Sequence, residues 1–141
     1  VNLVLDNSVA MLWLLPGSNP AGLPIAEAVL AALEADSALV PSLWALEVAN
    51  VVAKVESRGI VTVAQSQRFL ALLGRLNIAT DQATAVQALG ETLNLARRHR
   101  LSAYDAAYLE LALRAHCPLA TLDAALERAA RAAGVDIFGL S

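Results

Sequence analysis

One pattern constrains this chain more than any other: short apolar runs, the first of them rich in β-branched residues, alternate with longer stretches of helical spacing. The runs fall at residues 1–5, 38–40, 77–79, 119–121 and 135–138, and the helical stretches at 24–35, 43–58, 63–73, 82–98, 103–115 and 124–133. A further helical piece, 9–15, follows the first run and is stopped by Pro16. Parallel strands need a long crossover between them, and a helix in that crossover packs back onto the sheet. The alternation therefore predicts a three-layer α/β/α sandwich with a central parallel sheet of about five short strands, built by residues 1–141 as a single domain. Gly134 stands where a C-cap glycine would end the last helix.

A domain of 141 residues buries roughly two-thirds of the surface its unfolded chain exposes, so it needs no disulfide or structural metal to fold. Charged residues make up only 16%, against about 25% in an average soluble domain, while 57% are hydrophobic. That excess of apolar surface predicts an oligomer or a protein partner. The longest uncharged stretch, 7–26, contains Pro16, Pro20 and Pro24, which break a membrane-spanning helix. No Lys or Arg precedes Lys54, so the basic start of a signal peptide is missing and a cytoplasmic location is expected. The single Cys117 is expected to be a buried, inert thiol.

Net charge is −3, but it is unevenly spread: residues 1–53 carry five acids and no Lys or Arg, and residues 54–141 carry ten bases and eight acids. Arg97, Arg98 and Arg100 form a basic run with His99 immediately before an acidic segment. Such a run suits phosphate contact, although runs of this kind are more often solvated helix ends. His99 and His116 lack the spacing of a histidine ligand pair and read as surface residues. The aromatic residues Trp13, Trp44, Phe69, Tyr104 and Tyr108 form no stripe and read as core or interface.

In open parallel sheets ligands sit outside the carboxyl ends of the strands, so polar residues there carry the chemistry. Asp6 closes the first run and Asp123 follows the fourth, while Glu47 and Asp105 lie in early helical turns. Each has an alternative structural reading. Asp6 or Ser8 can cap the first helix, Ser102 with Asp105 fits a capping box, and Asp123 is placed to cap the last helix. Glu47, Asn50 and Lys54 can form a narrow solvated stripe on an otherwise apolar helix. Against these stands the cost of clustering: two carboxylates about 5 Å apart repel by roughly 3 kcal/mol at an effective dielectric near 20. A bound Mg²⁺ or Mn²⁺ removes that cost and activates water.

Four segments in order carry a resemblance. Asp6-Asn7-Ser8 after an opening apolar run resembles the first motif of the PIN family, and Glu47-Val48-Ala49-Asn50 is similar to its Glu-x-x-Asn segment. Leu101-Ser102-Ala103-Tyr104-Asp105-Ala106 resembles the third motif, and Leu119-Ala120-Thr121-Leu122-Asp123 the fourth. The resemblance implies a metal-dependent endoribonuclease, usually a homodimer, whose VapC-type members are toxins inhibited by a small cognate antitoxin and leave 5′-phosphate and 3′-hydroxyl ends. It implies Asp6, Glu47, Asp105 and Asp123 as metal-binding carboxylates, Ser8 and Thr121 in support, and Asn50 orienting its neighbours.

Other readings fit less well. A haloacid-dehalogenase phosphatase needs a second Asp where this chain has Ser8, and a response-regulator receiver needs a late Lys, whereas none follows Lys54. A PIN-like module that binds a protein partner without chemistry is a further alternative, which the presence of all four acids argues against.

Overall fold

The computed structural model describes residues 2–139. Four strands, β1 (Leu3–Leu5), β2 (Ala38–Val40), β3 (Ile78–Thr80) and β4 (Leu119–Ala120), form one sheet in the order β3-β2-β1-β4. Every pairing is parallel, with Leu3 beside Ala38, Val4 beside Leu119 and Leu39 beside Ala79. Leu3, Val4 and Leu5 are all buried, as a central strand covered on both faces requires. The edge strand β3 is the most exposed of the four.

The helices are α1 (Asn7–Ala10), α2 (Leu23–Ala32), α3 (Trp44–Ser57), α4 (Val63–Arg75), α5 (Thr84–Gln87), α6 (Leu93–His99), α7 (Ala103–Ala115) and α8 (Ala124–Ala132). They flank the sheet, with α7 packed against β1 and β4. Local sequence explains several ends. Thr62 and Gln65 form a complete capping box at the start of α4. Gly134, with φ of +85°, follows the C-cap of α8 in the left-handed conformation expected of it. No helix is long and apolar enough to cross a membrane among the described residues.

Two expectations change. The sheet has four strands, not five: the run at 135–138 contributes a single parallel bridge, Ile137 to Leu119. Its partner β4 is only two residues long before the chain turns into the Thr121 loop, so the pairing stops after Leu119 has bonded Asp136 and Phe138. The helix expected over 82–98 is divided, α5 and α6 being joined by a π-helical segment, Ala88–Thr92, that contains Gly90. One extra residue per turn re-aims the following helix. The first position of the run at 1–5, Val1, lies outside the described residues.

Parallel connectivity has a spatial consequence. Helices α1, α3, α5 and α8 each begin just after a strand ends, so their N-terminal turns gather at the carboxyl edge of the sheet.

Candidate active site

Asp6 leaves β1 at this edge and is 6% exposed. It occupies the N-cap position of α1 but makes no side-chain capping bond. Its Oδ2 instead accepts two hydroxyl bonds, from Ser8 Oγ at 2.7 Å and Thr121 Oγ1 at 2.8 Å. Each hydroxyl is aimed by a backbone N–H that it accepts: Leu122 N donates to Ser8 Oγ and Asp123 N to Thr121 Oγ1. A hydroxyl has one hydrogen to give, and the incoming backbone bonds leave that hydrogen for the carboxylate. The loops after the neighbouring strands β1 and β4 are thereby tied together around Asp6.

Glu47 lies in the first turn of α3, half-buried, and its Oε1 accepts a 2.5 Å bond from the Tyr108 hydroxyl. Tyr108 is fully buried on α7. Burial first, then its bond to Glu47, hold the phenol well above its ordinary value, so it remains a donor. Asp105, one turn before Tyr108 on the same face of α7, is half-buried. Ser102 Oγ caps this helix by accepting the Asp105 N–H, so the capping bond uses the Asp105 backbone. Asp123 does cap: its Oδ1 accepts the Leu126 N–H at 2.9 Å, and its other oxygen has no hydrogen bond among the described residues.

These four side chains feel one another. Asp6 is pushed above the usual carboxylate range by burial, against the Ser8 and Thr121 hydroxyls, which favour its charge; Asp123 adds a further upward push. Burial also raises Glu47, opposed by the Tyr108 bond and reinforced by Asp6 and Asp105. Asp105 is raised by burial, then by Asp123 and Asp6. The four acids thus form a single repelling group, and among the described residues none is ion-paired with Lys, Arg or His.

The remaining expected residues lie outside this hydrogen-bonded group. Asn50 is exposed one turn beyond Glu47 and bonds none of the four acids among the described residues. Arg97, Arg98 and Arg100 are exposed at the end of α6, with Arg100 in the left-handed conformation. His116 is exposed, whereas His99 is half-buried, its enclosed Nε2 without a hydrogen-bond partner among the described residues. Cys117 is half-buried, and its Sγ donates to the Ala115 carbonyl.

Sequence reasoning placed Tyr108 among core or interface aromatics and missed its bond to Glu47. Its three-residue spacing from Asp105 was the available signal, since it puts both on one helix face. Arg114 bonds Asp81 with both terminal nitrogens and reaches the buried Glu110 through Nε and Nη2.

Among the described residues no three His, Cys, Asp or Glu side chains already stand at ligand spacing. The donor set still fits a hard divalent cation. It consists of carboxylate oxygens only, none of them ion-paired among the described residues, and a small cation that keeps several waters needs few direct protein ligands.

Comparison with known proteins agrees with this architecture. The solved structure of PAE2754 from Pyrobaculum aerophilum is similar over 92% of this chain and 79% of its own, with a TM-score of 0.62 and 22% identity, a likeness of fold. No curated protein matches. The sequence model of the PIN domain matches residues 3–132, and the chain therefore belongs to the PIN domain family, whose members are generally nucleases that use divalent metals.

Proposed function

We propose that this chain is a divalent-metal-dependent endoribonuclease, the VapC-type toxin of a toxin-antitoxin pair, using Mg²⁺ or Mn²⁺ held by Asp6, Glu47, Asp105 and Asp123. The observation that carries the reading is the mutual repulsion of these four acids at one sheet edge, uncompensated by any ion pair among the described residues. When bound, the cation supplies charge neutralisation and polarisation of the scissile phosphate and the attacking water.

The chain's own residues do the positioning. Ser8 and Thr121 fix the direction of Asp6 and favour its charged form against burial, and Tyr108 does the same for Glu47. Asp123 keeps one oxygen on the α8 cap, and the other makes no hydrogen bond among the described residues. Asn50, beside the acids but unbonded to them, is left to meet substrate, and Arg97, Arg98 and Arg100 are exposed for RNA phosphates.

Partner binding is supported by a separate feature. Trp44, Val48, Val52, Leu70 and Leu73 line an apolar groove of about 350 Å³ between α3 and α4, and the buried Trp44 Nε1 there has no hydrogen-bond partner among the described residues. A small antitoxin covers this groove, and a second copy covers other exposed apolar residues such as Val86 and Leu89. Light scattering that found only monomer, alone and after co-expression with the neighbouring reading frame, would remove both partners.

The activity test is direct. The purified chain is incubated with single-stranded and structured RNAs in Mg²⁺, in Mn²⁺ and in chelator, and the products are resolved by length and end group. Internal cuts with 5′-phosphate ends in either metal, absent in chelator, are expected. RNA left intact in both metals would refute the nuclease reading.

A further inference from the structure

The acidic group does not end at the carboxylates. Leu43, Leu46, Glu47, Asn50 and Tyr104 line a shallow, mainly apolar concavity of about 290 Å³ that shares Glu47 with the candidate site. Two of its walls are large side chains left in solvent: Leu46 is 76% exposed and Tyr104 is 66% exposed. Both stand on the first turns of helices, α3 and α7, whose backbones are fixed by packing. Tyr104 is also the immediate chain neighbour of Asp105.

Resting on the nuclease reading above, the geometry points to this concavity as a subsite for one unpaired nucleobase of the nucleotide next to the scissile bond, with Tyr104 as its stacking surface. The chemistry selects that occupant. A flat base offers a π-face to the phenol ring and an apolar edge to Leu46, and stacking of this kind tolerates any base. The Asn50 amide supplies one donor and one acceptor for a base edge. No Lys or Arg lines the concavity to pair with a phosphate or an acidic peptide inside it, whereas a neutral heterocycle needs no counter-charge. The shared wall also gives the right reach, because a base seated against Glu47 leaves its own phosphate at the carboxylates. Single-stranded RNA is favoured over duplex, since a paired base has no free face to offer.

The test uses the full chain and a short single-stranded oligoribonucleotide with 2-aminopurine placed at successive positions, titrated in Ca²⁺, alongside cleavage of the same oligonucleotide in Mg²⁺ or Mn²⁺. Quenching is expected at one position adjoining the cut. Tyr104→Ala should weaken binding about tenfold, the size of one lost base–aromatic stack, and Tyr104→Trp should restore it. An abasic residue at that position should cost wild type the same factor and cost Tyr104→Ala little more. Wild type that cleaves RNA while neither Tyr104→Ala nor the abasic site matters would overturn the subsite and leave the nuclease intact. Tyr104-dependent quenching without cleavage would keep the subsite and remove the hydrolysis. No binding and no cleavage would overturn both. Tyr104→Ala that turns a dimer into a monomer, with quenching unchanged, would make this a protein contact and overturn the subsite.

Discussion

At the residue scale, each candidate acid had a structural explanation, and the hydrogen bonds separate the explanations one by one. Asp6 sits where a cap belongs yet spends its Oδ2 on Ser8 and Thr121, so capping does not account for it. At Asp105 the cap is Ser102, which leaves the carboxylate unexplained by helix termination. Glu47 departs from the solvated stripe, whereas Asn50 and Lys54 remain exposed. Asp123 is the one acid that both caps and faces the group, and a single substitution resolves it. Asn caps a helix about as well as Asp but is a poor ligand for a hard cation. Asp123→Asn is expected to keep its Tm in chelator, or raise it slightly through relief of repulsion, while cleavage falls steeply. Mg²⁺ or Mn²⁺ should then raise Tm less than in wild type, because stabilisation by a ligand scales with its affinity. Thermal scans with and without metal check this, and full activity with an unchanged metal response would return Asp123 to capping alone.

At the scale of elements, the alternation of short apolar runs with helices was legible because strands buried on both faces read as brief continuous apolar runs, whereas helices carry a 3.6-residue period over longer stretches. The carboxylates at strand ends were legible for the same reason: connectivity alone sends Asp6 and the Thr121 loop to one edge. What stayed hidden depends on tertiary placement. Two-residue β4 left the run at 135–138 only one pairing, and nothing local announces the π segment over Ala88–Thr92. The Asp81–Arg114–Glu110 group joins the end of β3 to α7 across 33 residues of sequence, beyond any local pattern. Its energetics are testable. Arg114 holds the Asp81 carboxyl below the usual range. The stability it lends is therefore present above the unfolded value near 4 and lost as pH falls through the lower folded value. Asp81→Asn is expected to be less stable than wild type at pH 7 by about 1 kcal/mol, since Arg114 is partly exposed and screened. That gap should close below about pH 4. Arg114→Met should cost more, about 1–3 kcal/mol, because it also strands the buried Glu110. Denaturant melts across pH measure both, and a wild-type advantage over Asp81→Asn that does not change with pH would assign that residue's effect to packing.

At the scale of the whole molecule, a net charge of −3 looks ill suited to a polyanion, and four of the acids stand at the proposed cutting site itself. The resolution lies in distribution: all ten Lys and Arg fall after residue 53. Arg114 is committed to Asp81 and Glu110, and Arg131 pairs with Glu127 one turn earlier. Arg97, Arg98 and Arg100 make no ion pair among the described residues and lie close in sequence to α7, which carries Asp105. Binding of single-stranded RNA should then depend on salt through a few contacts only. Each neutralised phosphate contributes about 0.7 to the slope of log K against log salt concentration, so replacing all three arginines by Ala should reduce the slope by about 2. Affinity should fall most at low salt, and cleavage at saturating RNA should survive because none of the three touches the carboxylates. Binding titrations at several salt concentrations measure the slope. A slope equal to that of wild type would make the run a solvated helix end, and the phosphate contacts would have to come from bases elsewhere in the second half of the chain.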